Sequence, residues 1–174
     1  MDPIKKIEKS NFYHRTDKKM REWMRKNGIQ FLRISIGLVF FWFGLLKFFP
    51  GASPAHELAV NTISTVTFGI IPDRGIILGL ATWEVVIGIG LLTGRIMRLT
   101  LILLFLQMPG TFLPVFIFPE LVFDSVPFVP TLEGQYIFKN LVLISAAILL
   151  WGFLDKKPTG GVREPDELVK KEQS

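Results

Sequence analysis

Six polar or charged side chains stand inside or at the edges of long apolar runs: Arg33, Lys47, Glu84, Gln107, Lys139 and Asn140. Glu84 is the one whose chemistry is hardest to dismiss. It lies nine residues past Gly75, where its apolar run begins, so ~14 Å of helix separates it from that end. A carboxylate on so short a stem does not reach water from there. An isolated ionised carboxylate in hydrocarbon costs several kcal/mol, so Glu84 should be protonated, paired or beside water. Ala81 and Gly88, at −3 and +4, share its face and predict a neighbouring helix passing close. Glu84 is therefore the candidate proton carrier.

Lys47 and Lys139 sit near one end of their own apolar runs, the same end of the molecule if the runs alternate in direction. Either ammonium can dip toward Glu84, and Gln107 and Asn140 can complete a hydrogen-bonded group. These five residues make the candidate ligand-binding cluster. Each also has a plainer reading. Glu84 can form a structural ion pair, the lysines can snorkel to head groups, and Gln107 can join two helices. Arg33 reads as an anchor that snorkels or bonds to backbone or lipid phosphate.

Positioning these residues requires membrane-spanning helices. Residues 28–49 form a 22-residue run, ~33 Å of helix, enough to cross a bilayer core. Within it Arg33, Gly37, Phe40, Gly44 and Lys47 are spaced i, i+4, i+7, i+11, i+14 and share one face. A face carrying two charges and two glycines is expected to turn toward protein rather than lipid. Further spans are expected over 75–92, 99–118 and 135–154. The second carries the small-residue pairs Gly75/Gly79 and Gly90/Gly94, expected at close helix contacts. The third holds Pro109 and Pro114, which predict kinks.

Outside the spans, Thr16 is a plausible N-cap for a short helix to Lys26, with Met20, Trp23 and Met24 on one stripe. Gly28 is expected to break the chain before the first span. Such a basic amphipathic helix would lie on an anionic membrane surface. Ser53 and Pro54 predict the start of a short outer-surface helix over 54–68. Residues 119–134 read as a loop and 155–174 as a mobile charged tail.

Composition narrows the chemistry. The chain has no cysteine, which excludes thiolate catalysis, disulfide exchange and Fe–S clusters. Two histidines, His14 and His56, exclude a bis-His haem within the membrane. No phosphate loop, nucleophile triad or metal motif is present. The +5 net charge does not point to nucleic acid, because the cations flank apolar spans. They also set orientation: residues 1–27 hold nine Lys/Arg, 95–98 two and 155–174 five, against one in 50–74 and none in 119–134. Four spans with both termini cytoplasmic satisfy the positive-inside rule at every connection. The expected fold is an all-α four-helix transmembrane bundle in three parts: a basic cytoplasmic segment 1–27, the bundle 28–154 and a cytoplasmic tail 155–174.

FLRISIGLVFFWFGLLKF, residues 31–48, resembles the first helix of DoxX-like membrane proteins, with their Arg-x-x-x-Gly and Gly-x-x-Lys-Phe pattern. Glu84-Val85-Val86-Ile87-Gly88 is similar to the family's Glu-x-x-x-Gly element. TFLPVFIFP and GQYIFKNLVLISAAIL resemble the YkgB/RclC-type branch, with Lys139 at the matching lysine of the last helix. The resemblance covers roughly residues 28–154. It implies a four-helix membrane fold in a bacterial cytoplasmic membrane and a link to quinone reduction or oxidative-stress complexes. It carries over Arg33, Lys47, Glu84 and Lys139 without fixing a catalytic role for any of them.

The first functional expectation is a membrane subunit of a redox or respiratory-type assembly. It would hold a quinone or other small apolar ligand near Glu84, with no covalently bound cofactor and no redox centre of its own. As an enzyme it would be at most a quinone-linked oxidoreductase subunit. The alternative is a non-catalytic accessory subunit docked in a larger membrane complex. A small transporter or proton pathway ranks third, since no span has a clear unwound centre beyond the prolines. The expected partners are the lipid bilayer and other membrane subunits or further copies of the chain.

Overall fold

The computed structural model describes residues 3–49, 51, 56–125 and 127–154, and of 3–12 the backbone alone. The elements run α1 (Pro3–Leu46), α2 (His56–Val66), α3 (Asp73–Thr93), α4 (Met97–Ile117), α5 (Pro119–Val122), β1 (Phe123–Ser125), β2 (Val129–Pro130) and α6 (Leu132–Gly152). Four of these helices, α1, α3, α4 and α6, are long and apolar enough to cross a membrane. In hydrocarbon a helix satisfies its own backbone polar groups, so apolar runs of this length fold as helices.

Local chemistry sets the helix ends. Pro72, in extended backbone, precedes α3, and Asp73 places an acid in its first turn, where the helix dipole favours it. Gly94 ends α3 in the left-handed region at φ 69°, its N–H donating to the Gly90 carbonyl. Thr131 caps α6: its hydroxyl oxygen accepts from the Gly134 N–H at 3.1 Å and donates to the Leu121 carbonyl at 2.7 Å. α4 runs through both Pro109 and Pro114.

Three expectations need correction. α1 is one continuous 44-residue helix, with no break at Gly28 and no separate helix capped at Thr16. A single glycine costs a helix interior only about 1 kcal/mol, which its strongly helix-forming flanks outweigh. Residues 119–134 are not a plain loop but a helical turn followed by an antiparallel hairpin, with Phe123 opposite Pro130 and Ser125 opposite Val129. Of the two glycine pairs, Gly75/Gly79 makes no close helix contact. Gly75 faces Ile71 and Pro72 of its own approach, and Gly79 has open space before it. The Ser53 and Pro54 cap and the tail from residue 155 lie outside the described residues.

The main core joins all four long helices: Ile36 and Phe40 of α1, Ile87 and Leu91 of α3, Leu101, Leu104 and Met108 of α4, and Ala146, Ala147 and Leu150 of α6. A second cluster closes one end, where Leu58 of α2, Val122, Phe123 and Ile137 meet Phe112 and Phe118. A third seats Val60 of α2 against Ile76 and Ile77 of α3. α2 and the hairpin thus cover the same end of the bundle, the end at which α1 stops and α3 and α6 begin.

Candidate functional site

The α1–α3 pair builds the site. The face of α1 expected to meet protein does so along its length. A Cβ at Gly37 would stand 3.0 Å from Leu91 Cβ, and one at Gly44 would stand 2.8 Å from Glu84 Cβ. From the other side, a Cβ at Gly88 would run into the Phe41 backbone. These close approaches press the two backbones together around Glu84. Ala81, fully buried, completes the small-residue face on α3.

Lys47 lies one residue past the end of α1, in a turn whose N–H donates to the Gly44 carbonyl. From there its ammonium donates to Glu84 Oε2 at 2.6 Å. The two side chains are only 10% and 12% exposed, so the pair is buried from water as well as direct. A cation just past the C-terminus of α1 is also favoured by the helix dipole. On the third side, Gln107 of α4 donates through Nε2 to Glu84 Oε1 at 2.9 Å. Each carboxylate oxygen of Glu84 thus has one donor, from two different helices.

Gln107 is only half satisfied. Its Oε1 is buried and has no hydrogen-bond partner among the described residues. Turning the amide over would point that oxygen at a carboxylate and lose the bond to Glu84, so the observed orientation is the one the site favours. The result is a carbonyl acceptor without a donor beside a buried ion pair, at the meeting of α1, α3 and α4.

The other candidates lie elsewhere. Lys139 is exposed on α6, its ammonium 5.0 Å above the centre of its own helix's Tyr136 ring. Asn140 is half-buried on α6. Among the described residues neither bonds to Glu84. α6 packs on α4 rather than α3, which takes both residues away from the carboxylate. Arg33 sits at the far end of the α1–α3 contact. Its guanidinium fills the space a Cβ at Gly94 would take. That places a cation at the C-terminus of α3, where the helix dipole favours it.

Two features escaped the sequence reading. Trp83 Nε1 donates to the Leu103 carbonyl at 3.2 Å, tying α3 to α4 one residue from Glu84. Gly90, expected at a close helix contact, makes one, and the group it receives is the Thr100 hydroxyl of α4. Both contacts need knowledge of which helix lies alongside, which no spacing carries. Open apolar grooves of about 440 and 390 Å³ run along the outer faces, the first lined by Gly79, Thr82, Trp83 and Leu103, the second by Phe105, Leu106 and Trp151. Neither is lined by Lys47, Glu84 or Gln107. Among the described residues no cluster of His, Asp or Glu suits a metal ion.

No family model, curated protein or solved structure matches the chain. The likeness to DoxX-like proteins rests on the residues quoted for it.

Proposed function

We propose that the chain is an integral membrane subunit of a redox or respiratory-type assembly in a bacterial cytoplasmic membrane, with both termini cytoplasmic. Its polar centre, Lys47, Glu84 and Gln107, receives the head group of a quinone-sized ligand. The observation that carries this reading is the buried Gln107 Oε1 without a donor, next to a charge pair inside an apolar bundle. A hydroquinone hydroxyl is a donor of the kind that oxygen accepts. The oxidised ligand offers a carbonyl, for which the Lys47 ammonium is the matching donor. A hydroquinone loses two protons and two electrons on becoming a quinone. Glu84 is the group placed to take one proton, and the other leaves to water at the near end of the bundle. The electrons pass to an acceptor on another subunit, since this chain has no cysteine and two histidines only. The resemblance to DoxX-like proteins supports the same reading.

A photoreactive benzoquinone probe in membranes containing the full chain tests it. Labelling should concentrate on α1, α3 and α4 beside Gln107 and fall sharply in Gln107→Leu. Labelling scattered over the outer faces and unchanged in that variant overturns the proposal.

Two observations favour the accessory-subunit alternative: Lys47 meets Glu84 directly, and both open grooves lie away from the cluster. On that reading the ion pair locks α1 to α3, and the outer grooves receive side chains of a neighbouring membrane subunit.

A further inference from the structure

α1 is far longer than a membrane needs. Its 44 residues make ~66 Å of helix against a hydrocarbon core of ~30 Å. The apolar run begins at residue 28, so residues 13–27 continue ~22 Å beyond it in the same helix. A helix that passes unbroken through Gly28 cannot both span the membrane and lay this segment flat on its surface. Yet the segment exposes large apolar side chains: Tyr13, Met20, Trp23 and Met24 are all more than half exposed.

These side chains belong to a longer stripe. Tyr13, Met20, Met24, Phe31, Ile34 and Leu38 follow steps of seven, four, seven, three and four residues. At 100° per residue they fall within an arc of roughly 80°. All six are exposed, by 40% to 68%. Asp17 and Asn27 fill the two missing steps of the 3–4 alternation that defines a coiled-coil seam. Trp42 and Leu45 carry the exposed stripe on to the end of α1. Phe40 lies nearly opposite this stripe, and Gly37 and Gly44, which pack on α3, lie more than ~100° round from its centre. The stripe is therefore left exposed beside the α3 contact.

We propose that two copies of the chain associate through α1, seam to seam, as a parallel two-stranded coil that starts in the extension and continues into the membrane. Both chains insert the same way, so a two-fold axis along the membrane normal makes the helices parallel. The charges permit this approach. Arg21, the cation nearest the stripe, is neutralised by Asp17 at 2.5 Å. Lys18, Lys19, Arg25 and Lys26 lie more than ~100° round the helix and point outward. Asn27, half-buried and donating to the Trp23 carbonyl of its own helix at 2.9 Å, is the one amide on the stripe, the kind of residue such seams use to fix register and strand number. The area is adequate. The six side chains expose roughly 600 Å² per copy, taking 150–250 Å² for a whole aromatic, and Trp42 and Leu45 bring the total close to the ~800 Å² per partner of a standard interface.

The chain has no cysteine, so single cysteines report contact without background. Full-length Met24→Cys, Phe31→Cys and Glu22→Cys variants, reconstituted at high lipid excess, are oxidised and run without reductant. Glu22 lies on the back of the helix. The first two should convert to a disulfide-linked dimer, while the third stays monomeric. Equal linkage in all three, or none in any, overturns the proposal. A nitroxide at Met24 gives a second reading: spin–spin broadening supports the coil, whereas contact with lipid-dissolved oxygen shows a helix bent onto the membrane and overturns it.

Discussion

Replacing Lys47 by methionine removes one member of a buried ion pair and leaves the rest of the site in place. Methionine keeps most of the stem volume, so packing against the end of α1 changes little. What changes is Glu84: its carboxylate, 12% exposed, keeps one donor, Gln107 Nε2, and loses the charge opposite. Breaking a buried pair from one side costs about 3–5 kcal/mol, which is about two to three and a half powers of ten in the folding constant at 1.4 kcal/mol per decade. The double variant Lys47→Met/Glu84→Gln removes both charges and keeps an acceptor for Gln107, so most of that loss should return, because a neutral pair carries no stranded charge. Reversible unfolding in mixed micelles, followed by far-ultraviolet circular dichroism against denaturing detergent, gives both numbers. A single variant within about 1 kcal/mol of the parent, or a double variant no better than the single, refutes the premise that Glu84 is held as a desolvated partner of Lys47.

The glycines give a matched pair of tests on the same helix. Gly88→Ala pushes a methyl into the Phe41 backbone and should lower stability by about 1–3 kcal/mol, whereas Gly79→Ala meets open space and should be neutral or gain up to ~1 kcal/mol from helix propensity; both are read from the same unfolding curves. Gly94→Ala forces a side chain into φ 69° and displaces the Arg33 guanidinium, so the expected loss is about 1–2 kcal/mol, with earlier protease cleavage between α3 and α4. Thr131→Ala removes the cap of α6 and its bond to Leu121, worth about 1 kcal/mol, and amide exchange should rise first at Gly134 and the turns beside it.

Much of this architecture is legible in the sequence, and the reasons are specific. The four spans announce themselves because hydrocarbon tolerates little else over 20 residues. The inward face of α1 follows from i, i+4, i+7 spacing, since Arg33, Gly37, Gly44 and Lys47 share it whatever they touch. Glu84 is conspicuous because a carboxylate at that depth needs a partner. Which partner is a different kind of question. Lys47 and Lys139 stand at equivalent ends of their spans, and only the packing order of the helices sends one to Glu84 and the other over Tyr136. The same limit applies to the glycines. Gly88, marked by its place four residues past Glu84, meets Phe41 as expected, whereas Gly79, marked only by its spacing from Gly75, meets nothing. Gly28 misleads in the opposite way: a residue that often ends helices is carried through one by its neighbours. The hairpin at 123–130 is too short to show a period at all.

The central claim is that the Lys47–Glu84–Gln107 centre holds a ligand rather than only joining helices. Native mass spectrometry of the full chain, extracted gently from its own membrane, tests it most directly when the parent and Gln107→Leu are run side by side. The account predicts a quinone-sized mass retained on the parent and lost from the variant, with the variant's oligomeric state and helix content unchanged. A parent that carries no such mass, or a mass that stays when Gln107 is replaced, contradicts it.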